Sequence, residues 1–209
     1  MKQNGILIVV SGFAGTGKGT IMKELLCRYS EQYALSISMT TRSPRPGEQD
    51  GVEYFFTDRE TFEHEIANGG LIEHACYCDH YYGTPRAYVD SQLLMGKDVI
   101  LEIEVQGALQ IKEKFPDTVL LFVVPPSVQT LYDRLKGRGT ESGEVIAARM
   151  KRATEECSYI SRYDYILVND DLDVCVEQMH HIIQSQKLAT ARNTAFIESI
   201  YRDLQSLSF

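Results

Sequence analysis

The chain has 209 residues, enough for one substantial core with a small insertion but not for two large independent domains. Acidic residues outnumber basic ones 29 to 21, giving a net charge of -8, so neither a nucleic-acid partner nor an anionic membrane surface is expected. No apolar run approaches the roughly 20 residues of a membrane span, and the polar start Met1-Lys2-Gln3-Asn4 does not open a secretory signal, so a cytoplasmic protein is expected.

Residues 5–11 (Gly-Ile-Leu-Ile-Val-Val-Ser) form a continuous apolar run, which suits a strand buried on both faces of a parallel sheet. A glycine-rich turn follows, then a helix over 20–29 with Ile21, Leu25 and Leu26 at helical spacing. The rhythm then breaks between about Ser38 and Val89. This stretch holds a Pro/Gly-rich turn (43–47), a short aromatic strand (53–56) and a helix opened by a capping box, Thr57-x-x-Glu60. A strand over 71–78 and a turn at Tyr81-Tyr82-Gly83 complete it.

Central strands resume at 98–104 and 118–124, each followed by a helical pattern, at 108–115 and 127–136. Residues 136–143, rich in glycine and charge, suit a mobile flap. A last strand is expected at 165–168, then a helix capped by Asp171 or Asp173 with Leu172, Val176, Met179 and Ile183 on one face. The chain beyond Lys187 still reads as helical. The expected fold is α/β: a parallel sheet flanked by helices (1–37 and 90–209), an inserted mixed subdomain (38–89) and a lid segment (136–150).

Two cysteine readings bear on function. Five cysteines cannot all pair within the chain, which fits a reducing compartment. His74, Cys76, Cys78 and His80 lie within seven residues and invite a zinc reading. The Cys-x-Cys step lacks the usual two-residue gap, and ordinary strand residues are the preferred reading.

The segment Gly12-Phe13-Ala14-Gly15-Thr16-Gly17-Lys18-Gly19-Thr20 matches Gly-x-x-x-x-Gly-Lys between a buried strand and a helix. Glycines let successive N–H groups turn inward around phosphate oxygens, the helix N-terminus adds partial positive charge, and Lys18 adds a full one. A nucleoside triphosphate is the expected ligand. The position after Lys18, where a hydroxyl usually ligates Mg²⁺, is Gly19. A Mg²⁺ ion is then expected to be held mainly by phosphate oxygens and water. Thr20 remains available to the α-phosphate.

A second concentration of chemistry is Ser38-Met-Thr-Thr-Arg42-Ser-Pro-Arg45-Pro-Gly-Glu48. Two arginines around a proline-stiffened turn can present two guanidinium forks to one anion, with Tyr54 and Tyr82 as hydroxyl donors. Alone, such a turn suits a solvated basic loop equally well. Beside a phosphate loop it suggests a second anion grip, as phosphoryl transfer between two phosphates requires.

These motifs, with Tyr81-Tyr82-Gly83, Gln106-Gly107, Pro125-Pro126-Ser127, Gly-Arg-Gly-Thr at 137–140 and Asn169-Asp170-Asp171, resemble the guanylate kinase family over nearly the whole chain. The resemblance implies an enzyme moving the γ-phosphoryl of ATP to GMP with Mg²⁺. It implies that Arg42, Arg45, Tyr54 and Tyr82 hold the GMP phosphate and that Ser38, Glu73 and Thr84 read the guanine. It implies that Arg134, Arg138 and Arg149 line the lid and close on the transferring group, and that Asn169 sits by the adenine. Lys18, Arg42, Arg138 and Arg149 are the expected catalytic groups. The family's Asp-x-Asp is here Glu102-Ile-Glu104, with strand alternation expected to keep both carboxylates on one face, at the GMP site, and Glu102 near the metal. Two other readings stay open: a kinase of another small phosphate acceptor, and a non-catalytic module that binds phosphopeptides through the arginine site.

Overall fold

The computed structural model describes residues 4–77, 79–137 and 142–207. Its main sheet has five parallel strands: β1 (Leu7–Gly12), β2 (Tyr33–Leu35), β7 (Asp98–Glu102), β8 (Val119–Val124) and β9 (Tyr165–Val168), in the order β2-β7-β1-β8-β9. The chain reverses strand order about β1, so the crevice beyond the carboxyl ends of β1, β7 and β8 is where a doubly wound sheet binds ligands.

Strand β1 is apolar from Leu7 to Val10 because both of its faces are covered. Ile8 and Val10 pack on one face with Ile21, Met22 and Leu25 of α1 (Lys18–Arg28) and with Val176, Met179 and Ile183 of α7 (Leu172–Lys187). Val9 faces the other side, among Ala108 and Ile111 of α4 (Val105–Lys114), Leu131 and Leu135 of α5 (Val128–Gly137), and Ile146 of α6 (Gly143–Cys157). Burying any one of these Val, Leu, Ile or Met side chains contributes about 1.5–3 kcal/mol, so the two layers hold the sheet from both sides.

A second sheet of four short strands, β3 (Ser38–Thr40), β4 (Tyr54–Phe56), β5 (Leu71–Tyr77) and β6 (His80–Pro85), has the order β4-β3-β6-β5. Strands β3 and β4 are parallel, and the other pairs are antiparallel. Helices α2 (Arg59–Ala67) and α3 (Arg86–Leu94) complete this region. The final helix, α8 (Thr194–Ser206), has no buried residue and exposes Phe196, Ile197, Ile200, Tyr201 and Leu204.

Three local expectations are corrected. The cap of α2 is Asp58, not Thr57; its carboxylate accepts from Thr61 N at 2.7 Å, an anionic acceptor at the positive helix end where a hydroxyl was expected. Tyr81, Tyr82 and Gly83 are no turn but lie inside β6, paired with Cys76, Ala75 and His74. The reversal comes earlier, beside Asp79 with φ of 62°, a left-handed conformation that aspartate tolerates. Strand β7 ends at Glu102 and not at Glu104, which takes the N-cap position of α4, while the two carboxylates remain within electrostatic reach of each other.

Of the zinc quartet, Cys78 lies outside the described residues. Among the described residues no cluster of three His, Cys, Asp or Glu side chains could hold a metal ion, and no helix is long and apolar enough to cross a membrane.

Candidate active site

The glycine loop joins β1 to α1 at the carboxyl edge of the main sheet. Helix α1 starts on Gly17 with no side-chain cap and no acidic residue in its first turn, whereas α2 and α7 are each capped by an aspartate. The uncapped N–H groups and partial positive charge of α1 are therefore directed to the loop's own concavity, an anion site. Lys18 Nζ lies across the loop, donating to Gly12 O (2.6 Å) and Phe13 O (3.2 Å). Gly19 and Thr20 are exposed on the first turn, and Ala14, Gly15 and Gly17 are half-buried.

Glu102 stands at the end of β7, within electrostatic reach of Lys18. Desolvation lifts its carboxyl above the ordinary range; Lys18 opposes the shift and Glu104 adds to it. Glu104 turns to a different partner. Its Oε2 accepts from Arg152 Nη2 of α6 at 2.9 Å, and Arg152 Nε also donates to Glu156 at 3.0 Å. The extra methylene of glutamate, relative to the family's aspartate, is compatible with this reach.

The arginine turn and the second sheet build another cluster. Arg42 and Glu48 form a two-pronged ion pair, Nη1–Oε2 and Nη2–Oε1 both 2.9 Å. Glu48 Oε2 also accepts from the backbone N–H of Arg45 at 2.7 Å, so one carboxylate organises the whole turn. The Arg42 bond and the Arg45 amide hold the Glu48 carboxyl below its usual range. The Arg42 guanidinium lies 5.3 Å from the centre of the Tyr54 ring, and the Tyr54 and Tyr82 rings meet edge-on at 6.0 Å. Arg45 is exposed at the rim, and Ser38 is half-buried opposite Tyr54 in the β3–β4 register.

Glu73 on β5 is 6% exposed, unusual for a carboxylate. Its Oε1 accepts from Thr84 Oγ1 at 2.7 Å. Burial pushes its carboxyl up, with Thr84 and the charge of Lys114 acting against the shift. Its Oε2 faces Gly107 of α4, where a Cβ would approach to 3.2 Å. The carboxylate thus occupies the seam between the second sheet and the main core.

On the far side of the glycine loop, Asn169 follows β9. Its Nδ2 donates to Thr16 O at 2.7 Å, and its own carbonyl accepts from Arg134 Nη1 at 2.9 Å. Arg149 is half-buried on α6. Arg138 lies outside the described residues.

The structure therefore gathers the expected residues into four groups: Lys18 with Glu102, Arg42 with Tyr54 and Tyr82, Glu73 with Thr84, and Asn169 with Arg134 and Thr16. Glu104 pairs with Arg152 while remaining within electrostatic reach of Glu102. The helix residue Arg152 was not singled out by sequence reasoning. Glu48 and Gly107 appeared there only as members of motifs, without the organising and close-packing roles the structure gives them.

A glycine loop opening the first helix of a doubly wound sheet, together with an arginine–tyrosine cluster on an inserted sheet, is the arrangement of a phosphate-loop nucleotide kinase. The guanylate kinase family model matches residues 4–186. The guanylate kinase of Streptococcus thermophilus is 50% identical over 192 residues, 92% of either chain, and that of Latilactobacillus sakei is 48% identical over 92% of this chain and 95% of its own. The crystal structure of guanylate kinase from Anaplasma phagocytophilum superposes with a TM-score of 0.72 at 32% identity, covering 91% of this chain and 90% of that one. The chain belongs to the guanylate kinase family.

Proposed function

We propose that this chain transfers the γ-phosphoryl of ATP to GMP, giving ADP and GDP, through the four residue groups just described. Family membership supports the reaction. The observation that carries the base assignment is Glu73: a buried carboxylate with one oxygen held by Thr84 and the other facing Gly107. Guanine offers two adjacent donors, N1–H and the 2-amino group, which one carboxylate can accept. Adenine lacks that pair and would leave the carboxylate buried and unsatisfied, and sites of this kind discriminate by about 10⁴ or more.

The acceptor phosphate has a second pKa near 6 and is largely ionised at neutral pH, so the reaction needs no general base. The obstacles are repulsion between two anions and in-line alignment, both met by positioning and positive charge. Lys18 and the α1 N-terminus hold the donor phosphates. Arg42, aimed by Glu48, holds the acceptor phosphate with Arg45, Tyr54 and Tyr82, and Ser38 joins Glu73 and Thr84 at the base. Residues 38–89 form the acceptor-binding insertion, and 136–150 act as a lid that carries Arg138 and Arg149 onto the transferring group and keeps water out. Arg134 and Asn169 flank the adenine.

The donor set fits a hydrated Mg²⁺ and not a protein cage: Gly19 offers no hydroxyl, and Glu102 is the carboxylate beside Lys18. Bound with ATP, Mg²⁺ would supply charge neutralisation at the phosphates, and Glu102 would help to hold it through water. A cytoplasmic location accords with this chemistry. An acceptor panel tests the reading: ATP consumption with GMP, dGMP, AMP, UMP and ribose bisphosphate. GMP as the preferred acceptor supports it, and a better rate with a non-guanine acceptor refutes it.

A further inference from the structure

Asn169 ties the last strand of the main sheet to the glycine loop. Its backbone N–H continues the sheet by donating to Val124 O at 2.9 Å. Its side chain is 7% exposed and crosses to the loop, donating to Thr16 O at 2.7 Å over 153 positions of sequence. Thr16 is itself fully buried, its hydroxyl turned back to Phe13 O at 2.9 Å. The next residue, Gly17, has φ of 86°, and a Cβ there would lie 2.6 Å from Asn169 Nδ2. Amide and glycine are therefore fitted to each other.

The Thr16 carbonyl and the Gly17 N–H belong to one planar trans peptide and point in opposite directions. Holding the carbonyl toward Asn169 aims the Gly17 N–H away from it. Arg134 steadies the arrangement from behind through Asn169 O.

We propose that Asn169 is a positioning residue for the phosphoryl donor: it sets the Thr16–Gly17 peptide so that the Gly17 N–H points at the donor phosphates. The role is additional to any contact with adenine and rests on the glycine loop being the donor site. Without this amide the Thr16 carbonyl is left buried and unpaired, and its peptide is free to turn over.

Two variants separate loop positioning from base contact. Asn169→Asp keeps the shape and an acceptor oxygen for an exocyclic amine but cannot donate to Thr16 O. Asn169→Ala loses both. Dissociation constants are measured for ATP, for inorganic tripolyphosphate, which has no base, and for GMP. Both variants are expected to weaken ATP and tripolyphosphate by the same factor, about tenfold for one buried carbonyl left unpaired, with GMP affinity within about twofold of the parent.

Weakening of ATP alone makes Asn169 a base contact and overturns the proposal, as does unchanged binding of both. Parallel loss of GMP binding in both variants makes Asn169 a general support of the fold and also overturns it. Failure of the unaltered enzyme to bind either triphosphate overturns the donor-site reading itself, a result distinct from any of these.

Discussion

Replacing Glu73 with glutamine separates what the carboxylate does for the substrate from what it does to the fold. Oε1 is committed to Thr84 at 2.7 Å, leaving Oε2 as the acceptor for guanine. In the Glu73→Gln enzyme the retained oxygen serves Thr84, and an NH₂ group faces two guanine donors. Two hydrogen bonds to a charged acceptor are lost, each worth about 1.5 kcal/mol at the low end, so kcat/KM for GMP should fall roughly 150-fold. KM for ATP should stay unchanged, and the preference for GMP over AMP should collapse. Stability should move the other way. Burial raises the Glu73 carboxyl above its unfolded value, so the folded chain binds the proton more tightly and stability declines as pH rises from the unfolded value through the folded one. The amide cannot ionise, so the variant should melt higher than the parent at neutral pH and near the parent below the unfolded value. Coupled spectrophotometric assays and thermal melts at two pH values give both readouts. Retention of GMP kcat/KM within about threefold would refute the base-reading role whatever the melting curves show.

Lys18→Ala should abolish turnover in the coupled assay while calorimetry finds GMP affinity nearly unchanged; parallel loss of GMP binding would merge the two anion sites into one. Glu48→Gln removes the two-pronged hold on Arg42 and should raise KM for GMP about tenfold, on the scale of one charge-assisted bond, with KM for ATP unaffected. Because the Glu48 carboxyl is held low, it keeps its charge below the ordinary carboxylate range; the Arg42 site should persist on acidification and fail only once pH drops through that lowered value. Lys187→Met leaves the fully buried Asp98, now 2.8 Å from Lys187 Nζ, without its cation and should destabilise the protein by about 3 kcal/mol in urea denaturation, with GMP kinetics intact.

The layered core was legible because parallel strands covered on both faces must be continuously apolar, and β1, β7 and β8 read that way. The glycine loop was legible because its residues act within nine consecutive positions. What lay beyond reading involves long separations or competing local rules. The run over 98–104 read as one strand, but β7 ends at Glu102, and Arg152, 48 positions away, pairs with Glu104 from α6. The tyrosines at 81 and 82 beside Gly83 look like turn residues, yet packing fixes them in β6, where Tyr81 stacks on Phe62 at 5.2 Å and Gly83 makes room for close neighbours. The Asn169–Thr16 bond spans 153 residues, and no local pattern announces it.

Gly107 has a consequence for how portable this enzyme's specificity is. The carboxylate proposed to recognise the base is carried by the inserted sheet, but one wall of its niche is a helix of the main core, which comes close at Gly107, where a Cβ would lie 3.2 Å from Oε2. The insertion excised alone would present Glu73 to water, where a carboxylate discriminates poorly between bases. Grafting residues 38–89 onto another phosphate-loop scaffold would transfer the arginine turn intact and leave guanine selectivity behind, unless the recipient also offered a glycine at the facing helix.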